Sequence, residues 1–243
     1  MSNTILFVFE GEVLEKQIFD NIKKNFFSEE KSTMLIASFK AEIYQLYKQV
    51  KDDEFLDLVE LLKEKNHSLA EINRDDVSQI YMFFDYDGHA STASDRIISD
   101  MLEFFNEETD QGKLYISYPM AEAIRDLDRE RSCCYERCLV HAKKNIKYKE
   151  SVSLNSSFKD IKKISNEDWN FIFQNTVRKA NCIVFDKFIY PEYKIFQKLI
   201  QPNIFESQAV KFIEPYEKVA VLSAFPLFIL EYFGEKKYEA INV

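Results

Sequence analysis

The feature that most constrains the fold is a pair of short, largely apolar runs that each end in acidic residues. The run Ile5–Phe9 stops at Glu10, and the run Gln79–Phe84 stops at Asp85. A short, uninterrupted apolar run is typical of a strand that is buried on both faces of a parallel sheet. From Val13 onward the apolar residues recur at helical spacing. The chain is therefore predicted to begin with a strand, a tight turn and a helix.

The same alternation continues through the first half of the chain. Further strands are predicted over Thr33–Ala37 and Lys113–Ser117, with helical spacing between the strands. Strands that alternate with helices indicate a mostly parallel sheet with right-handed crossovers. Beyond Asp128 the clear periodicity is helical. We therefore expect an α/β domain over residues 1–128, with a Rossmann-like sheet flanked by helices, and a helical C-terminal extension over residues 129–243 that packs onto it.

Carboxylates follow the predicted strands at their carboxyl ends. Glu10 follows the first strand, Asp85 and Asp87 follow the third, and Glu122 lies just beyond the fourth. Ligands of open parallel sheets bind outside these strand ends. Mg²⁺ prefers oxygen ligands and keeps several waters, so two or three carboxylates and a phosphate complete a site. Glu10, Asp85 and Asp87 are the predicted ligands of Mg²⁺ or Mn²⁺.

Each acidic motif has an ordinary interpretation when it is taken alone. Glu10-Gly11 after a strand is typical of a simple turn, and an Asp-X-Asp sequence such as Asp85 to Asp87 is common where a loop begins. Together the two motifs end two apolar strands in this order, and that combination favours the metal site.

The motifs resemble those of the TOPRIM fold, which occurs in topoisomerases, primases and the overcoming-lysogenization-defect (OLD) and RloB-like nucleases. That family has a glutamate after its first strand and Asp-X-Asp after its third, which match Glu10 and Asp85 with Asp87. The first motif is similar to the RloB version, with a second acid at Glu15, over the string Phe9-Glu10-Gly11-Glu12-Val13-Leu14-Glu15-Lys16-Gln17-Ile18-Phe19. The segment Ser117-Tyr118-Pro119-Met120-Ala121-Glu122 resembles a later motif, whose glutamate falls on Glu122. The matches cover about residues 4–128.

The resemblance implies a TOPRIM-like fold and magnesium-dependent hydrolysis of phosphodiester bonds in DNA or RNA, tRNA included. Glu15 and Glu122 would be supporting acids. The RloB and OLD branches imply an effector of bacterial defence against phage. No tyrosine nucleophile domain of a topoisomerase and no convincing zinc module of a primase accompany the motifs. The other interpretation is a noncatalytic nucleic-acid or nucleotide sensor that keeps the fold and works with a partner ATPase.

The chain departs from the family pattern in two places. Many TOPRIM proteins have a third acid after Asp-X-Asp, where this chain has Gly88-His89. His89 would donate to a phosphate or a leaving oxygen, since its charge changes near neutral pH, or it caps the loop. The catalytic lysine of OLD nucleases cannot be assigned, and Lys143, Lys144 and Lys147 are candidates by position only.

The charge of the chain argues against simple coating of a duplex. The net charge is −9 and the isoelectric point is about 5.1, whereas proteins that bind nucleic acid through phosphates are usually basic. The region that runs from Arg137 to Lys163 is nevertheless rich in cations. We predict that Arg137, Lys143, Lys144 and Lys147 bind nucleic acid; a solvated helix face is the alternative interpretation.

Other features suggest where the protein works. The four cysteines do not form a disulfide framework, and the N-terminus lacks a signal peptide, so a cytoplasmic protein without a membrane segment is expected.

Cys134, Cys138 and His141 share one predicted helix face, but one helix cannot readily surround a zinc ion. The chain has no Walker loop, so any ATP dependence would come from a partner. The apolar stretch Val219–Leu230 predicts a buried helix, and the aromatic-rich helix that continues from it either closes the core or docks another subunit, so a homo-oligomer is a further possibility.

Overall fold

The computed structural model describes residues 4–52, 57–88, 94–129, 135–144 and 146–241. Within these ranges the side chains of residue 50 and of residues 153–155 are not described. Two of the residues discussed above, His89 and Cys134, lie outside the described residues.

The fold has an α/β architecture with a mostly parallel five-stranded sheet, as expected from the alternation of strands and helices. The order of the strands is β2-β1-β3-β5-β4. The first four of these are parallel, and the short β4 pairs antiparallel with β5. The strands are β1 (Thr4–Phe9), β2 (Thr33–Ser38), β3 (Val77–Asp85), β4 (Asn106–Glu107), β5 (Gly112–Ser117), β6 (Leu139–His141) and β7 (Lys218–Ala220).

Helices lie on both sides of this sheet and fill most of the second half of the chain. The α-helices are α1 (Leu14–Phe26), α2 (Ile43–Asp52), α3 (Leu58–Lys63), α4 (Asp95–Phe104), α5 (Tyr148–Asn155), α6 (Asn166–Phe185), α7 (Tyr193–Phe196), α8 (Gln201–Gln208), α9 (Glu214–Tyr216) and α10 (Ala224–Ile241). Short 3₁₀ turns cover His67–Leu69, Arg74–Asp76, Ala121–Arg125 and Ile161–Lys163, and a π-helical turn at Ala209–Ile213 joins α8 to α9. Within the described ranges, no helix has both the length and the apolar character needed to cross a bilayer.

The register of the central strands brings their carboxyl ends to one level. Strand β1 is buried along its whole length, and its last residue, Phe9, lies opposite Phe83 of β3. One step further, the backbone N–H of Glu10 donates to the carbonyl oxygen of Phe83 at 3.1 Å. Asp85 at the end of β3 lies opposite Ser117 at the end of β5. The residues that follow β1, β3 and β5 therefore meet at one edge of the sheet.

The C-terminal region packs onto the sheet through α10. The ring of Phe225 stacks on Phe83 with centroids 4.6 Å apart and an interplanar angle of 2°. Phe228 lies 4.9 Å from the ring of Tyr81 on the same strand. Both halves of the chain thus contribute to one hydrophobic core. The proposed division near residue 128 stays a prediction.

Two details differ from the predicted helical C-terminal region. The stretch predicted as a buried helix over Val219–Leu230 starts as a strand, and the helix begins only at Ala224. Val219 in β7 pairs antiparallel with Val140 in β6. Both strands are three residues long, so neither has enough residues to show an alternating pattern, and their pairing depends on contacts between distant parts of the chain.

Candidate functional site

The carboxylates of Glu10 and Asp85 lie at adjacent strand ends and are held by backbone groups. The N–H of Asp85 donates to Oε2 of Glu10 at 3.0 Å. The N–H of Ala121, at the start of the 3₁₀ helix Ala121–Arg125, donates to Oδ1 of Asp85 at 2.8 Å. Among the described residues, the other oxygen of each carboxylate has no hydrogen bond. Each acid is therefore fixed at one oxygen and keeps the second for a ligand.

Burial and mutual repulsion make these acids hard to ionise. Burial raises the pKa of Glu10 to about 8, the hydrogen bond from Asp85 opposes this shift, and the charges of Asp87 and Glu15 add to it. Asp85 is only 7% exposed. Burial raises its pKa well above the ordinary value, and Glu10, Glu15, Asp87 and Glu122 raise it further. The five predicted acids thus belong to one electrostatic cluster, which we call the acidic cluster, and a cation placed there would relieve the repulsion.

Glu15 joins the acidic cluster from the first turn of α1. Its Oε1 accepts a hydrogen bond from the N–H of Gly11 at 3.2 Å. A Cβ atom on Gly11 would lie 2.9 Å from both carboxylate oxygens of Glu15. The glycine after Glu10 is therefore required by the close approach of this carboxylate, which gives the Glu-Gly motif and its second acid a common structural explanation.

Asp87 reaches the acidic cluster from a turn after β3. Its φ of 42° is left-handed, a conformation that Asp tolerates better than most residues. The simple alternation that would point Asp85 and Asp87 the same way is therefore interrupted, although both carboxylates still act on Glu10 and on each other. At Gly88, a Cβ atom would lie 2.4 Å from the ring of Tyr86. The turn is packed too closely there for a larger residue.

Glu122 and Lys149 close the other side of the acidic cluster. Glu122 is 7% exposed within the 3₁₀ helix, and Nζ of Lys149 lies 3.6 Å from its Oε1. Burial alone would lower the pKa of Lys149, but the charges of Glu122, Asp85 and Glu15 outweigh burial and raise it. Together with Arg125, these residues line a cavity of about 420 Å³. The cavity therefore combines buried acids with cations.

Lys149 is a functional candidate that the sequence did not single out. It belongs to the same basic stretch as Lys143, Lys144 and Lys147, so the signal was present. Nothing in a run of lysines shows which one faces a carboxylate on another element. The structure makes that choice because α5 brings Lys149 against the 3₁₀ helix.

The four predicted nucleic-acid-binding residues are exposed but do not lie on one helix, so they do not form the single helix face of the alternative interpretation. Arg137 is exposed in the turn before β6. Lys143 lies 3.6 Å from Asp95, and Lys147 lies 4.0 Å from Glu150. Lys144 lines a depression together with Asp87, Gly88 and His141. Of these four, Lys144 has the most direct relation to the acidic cluster; the nucleic-acid role of all four stays a prediction.

The donor set fits a magnesium-type cation only in combination with further ligands. Among the described residues, no group of three or more His, Cys, Asp or Glu side chains is arranged to hold a metal ion. Mg²⁺ requires fewer protein ligands than this, since one or two carboxylates with waters and a substrate phosphate complete its octahedron. Glu10 and Asp85 supply that number of carboxylates, each with one oxygen that has no hydrogen bond among the described residues.

No family model, curated protein or solved structure matches this chain.

Proposed function

We propose that this protein is a metal-dependent nuclease that hydrolyses phosphodiester bonds in DNA or RNA, with tRNA among the candidate substrates. The observation that carries the proposal is the pair formed by Glu10, which is half-buried, and Asp85, which is buried. Both are held by backbone hydrogen bonds at the carboxyl edge of a parallel sheet and are surrounded by three more acids. Such a concentration of negative charge is costly without a cation. The TOPRIM-like identity of the fold is part of this proposal.

The residues divide into three groups by what they would do. Glu10, Asp85 and Asp87 would hold Mg²⁺ or Mn²⁺, and Glu15 fixes the turn that carries Glu10. When bound, such an ion neutralises charge on the phosphate and lowers the pKa of a bound water. Lys149 would donate from Nζ to a phosphate or leaving oxygen, while Glu122 keeps it in place and charged. Lys144 would contact the phosphate backbone next to Asp87.

The biological setting follows from the resemblance alone. The RloB and OLD branches suggest that the nuclease is an effector of bacterial defence against phage. Under that proposal a partner ATPase or a further copy of the chain restrains or triggers the enzyme.

A noncatalytic sensor is the second candidate function. It is favoured by one specific observation: Lys149 already neutralises Glu122 within the cluster. A protein that uses the acidic cluster only to bind a nucleotide or nucleic acid through one cation would not need Glu122 as an additional ligand of a cation. It would respond to Mg²⁺ without cleaving.

The deciding experiment is a cleavage assay with purified full-length chain. DNA and RNA panels that include tRNA are incubated with Mg²⁺, Mn²⁺ or EDTA, with and without a candidate ATPase. We expect metal-dependent cleavage that Glu10→Gln and Asp85→Asn abolish, while Glu206→Gln, which changes an exposed acid of α8, has no effect. Cleavage that persists in EDTA or in Glu10→Gln would refute the mechanism. Metal binding without cleavage of any substrate would support the sensor.

A further inference from the structure

A second cavity, of about 340 Å³, lies between the 3₁₀ helix Ala121–Arg125, strand β6 and helix α5. This volume falls within the range of about 300–1,000 Å³ that is usual for small-molecule sites. Its polar lining includes Arg125, Asp126, Tyr135, Tyr148 and Ser151. Apolar side chains complete the wall: Val140, Ile146 and Val152.

Two residues that line this cavity, Arg125 and Tyr135, carry buried donor atoms without partners among the described residues, and a ligand reaches these atoms only by displacing the side chains that cover them. Among the described residues, neither Nε of Arg125 nor the hydroxyl of Tyr135 makes a hydrogen bond, and both atoms are buried. Tyr135 is only 3% exposed. Burial raises the pKa of its phenol, and Cys138 and Asp126, both on the cavity wall, raise it further. A buried polar group without a partner destabilises the protein unless a ligand supplies one.

Next to these donors the cavity has an acceptor that is held in place. Oδ2 of Asp126 accepts a hydrogen bond from the hydroxyl of Tyr148 at 2.8 Å and one from the thiol of Cys138 at 3.5 Å. The charges of Asp126 and Asp128 exceed the single charge of Arg125, so the lining does not favour an anion. The cavity thus combines hydrogen-bond donors and an acceptor with aromatic and aliphatic side chains. Such a lining suits a neutral, flat heterocycle that has both donors and acceptors on its edge.

The position of this cavity connects it to the acidic cluster. Arg125 lines both this cavity and the cavity that contains Glu15, Glu122 and Lys149. Tyr148 lines it too and directly precedes Lys149. A nucleotide with its phosphate near Lys149 would thus have a polar cavity of suitable size beside it.

We propose that this cavity binds an unpaired nucleobase of the substrate strand, with Tyr135, Arg125 and Asp126 reading the edge of the base. The inference rests on the proposed nuclease function for its substrate class. Its own content is that the enzyme takes one base out of the stack and holds it beside the phosphate. Double-stranded nucleic acid without a mismatch, bulge or loop is then a poor substrate.

The test is ligand binding in EDTA, which requires neither metal nor cleavage. The full chain is titrated with each of the four nucleoside 5′-monophosphates by calorimetry and saturation-transfer NMR, with ribose 5-phosphate as the probe that has no base. Tyr135→Phe removes only the hydroxyl, and Asp126→Asn removes the charge of the acceptor. Tyr118→Phe is the matched control, because within the described part of the chain its hydroxyl is likewise buried and without a partner, and Tyr118 does not line this cavity.

We expect at least one monophosphate to bind more tightly than ribose 5-phosphate. Tyr135→Phe should weaken it by about three- to tenfold, the ratio for one neutral hydrogen bond, and Tyr118→Phe should leave it unchanged. The base site is refuted if no monophosphate exceeds ribose 5-phosphate, or if Tyr135→Phe and Asp126→Asn, both checked for folding by thermal melting, bind like wild type. Metal-dependent cleavage without base binding overturns only this inference. Base binding without cleavage overturns only the nuclease.

Discussion

The backbone N–H of Asp85 donates a hydrogen bond to Oε2 of Glu10 at 3.0 Å, which ties the ends of two adjacent parallel strands together through an acid of the candidate site. The contact orients the carboxylate of Glu10 without neutralising it. Since a main-chain donor fixes it, the geometry does not depend on a flexible side chain.

Removal of either charge should weaken the binding of a divalent cation. We expect Glu10→Gln and Asp85→Asn each to reduce the affinity for Mn²⁺ by about tenfold or more, because each loses a charged oxygen ligand. Titration calorimetry or Mn²⁺ electron paramagnetic resonance measures the effect, and Glu206→Gln is the control. Unchanged Mn²⁺ affinity in both variants would place the cation elsewhere.

The stability of the metal-free protein should fall as the pH rises from about 5 to about 8. The pKa of Glu10 is raised to about 8 from 4.5. A carboxyl whose pKa is higher in the folded state than in the unfolded chain stabilises the folded state while it is protonated. This contribution is complete at a pH below the pKa of the unfolded chain, and it is lost as the pH rises through the pKa of the folded state. Urea denaturation in EDTA at several pH values measures the free energy of unfolding. Glu10→Gln should flatten the dependence, and an equally steep slope in this variant would contradict the assignment.

Gly11→Ala should destabilise the protein by about 1 kcal/mol or more, which is the lower end of the usual cost of adding a methyl group to a tightly packed site. The added Cβ would meet the carboxylate oxygens of Glu15 at 2.9 Å. The matching test is a double-mutant cycle, because Glu15→Ala removes the atoms that clash. In the Glu15→Ala background the cost of Gly11→Ala should largely disappear, and an equal cost in both backgrounds would assign it to the backbone instead.

Lys149 should affect turnover more than cation binding. We expect Lys149→Met to lower the rate constant for cleavage by about tenfold or more, as expected for one charged donor to a reacting phosphate, while Mn²⁺ affinity stays the same or rises. Single-turnover kinetics and Mn²⁺ titration separate these effects. Lys194→Met, which changes an exposed cation of α7, is the control; equal losses in both variants would indicate only a general effect of charge.

Lys179 should be essential for the stability of the fold, although burial is unfavourable for a charged amine. It is 1% exposed in α6, and its Nζ donates to the carbonyl oxygens of Tyr135, Glu136 and Cys138 at 2.8, 2.8 and 3.2 Å. Lys179→Met keeps the length of the side chain but leaves three acceptors without their donor, so we expect a loss of about 3 kcal/mol or more. Urea denaturation measures it, with the exposed Lys194→Met as control. If Lys179→Met lowers the free energy of unfolding no more than Lys194→Met does, water replaces the amine as the donor to the three carbonyl oxygens.

Local pattern was sufficient to predict the elements that carry the acids. Strands β1, β2, β3 and β5 are close to their predicted bounds. A strand buried along its whole length, as β1 is, leaves a continuous apolar run in the sequence. Glu10 and Asp85 meet because neighbouring parallel strands end at the same edge, as predicted, whereas Asp87 reaches that edge from a left-handed turn that the pattern did not indicate. That they bind a metal stays a prediction, as does the role of His89, which lies outside the described residues.

The sequence by itself thus determined a parallel α/β sheet and which acids stand at the ends of its strands, because both depend on residues a few positions apart. Only the tertiary structure decided that Lys149 faces Glu122, that Val140 pairs with Val219, and that Arg125, Tyr135 and Tyr148 surround one cavity. These contacts join separate elements and depend on how α5 and the short strands pack against the sheet. No local periodicity records such packing, because it is set by the free energy of the whole core.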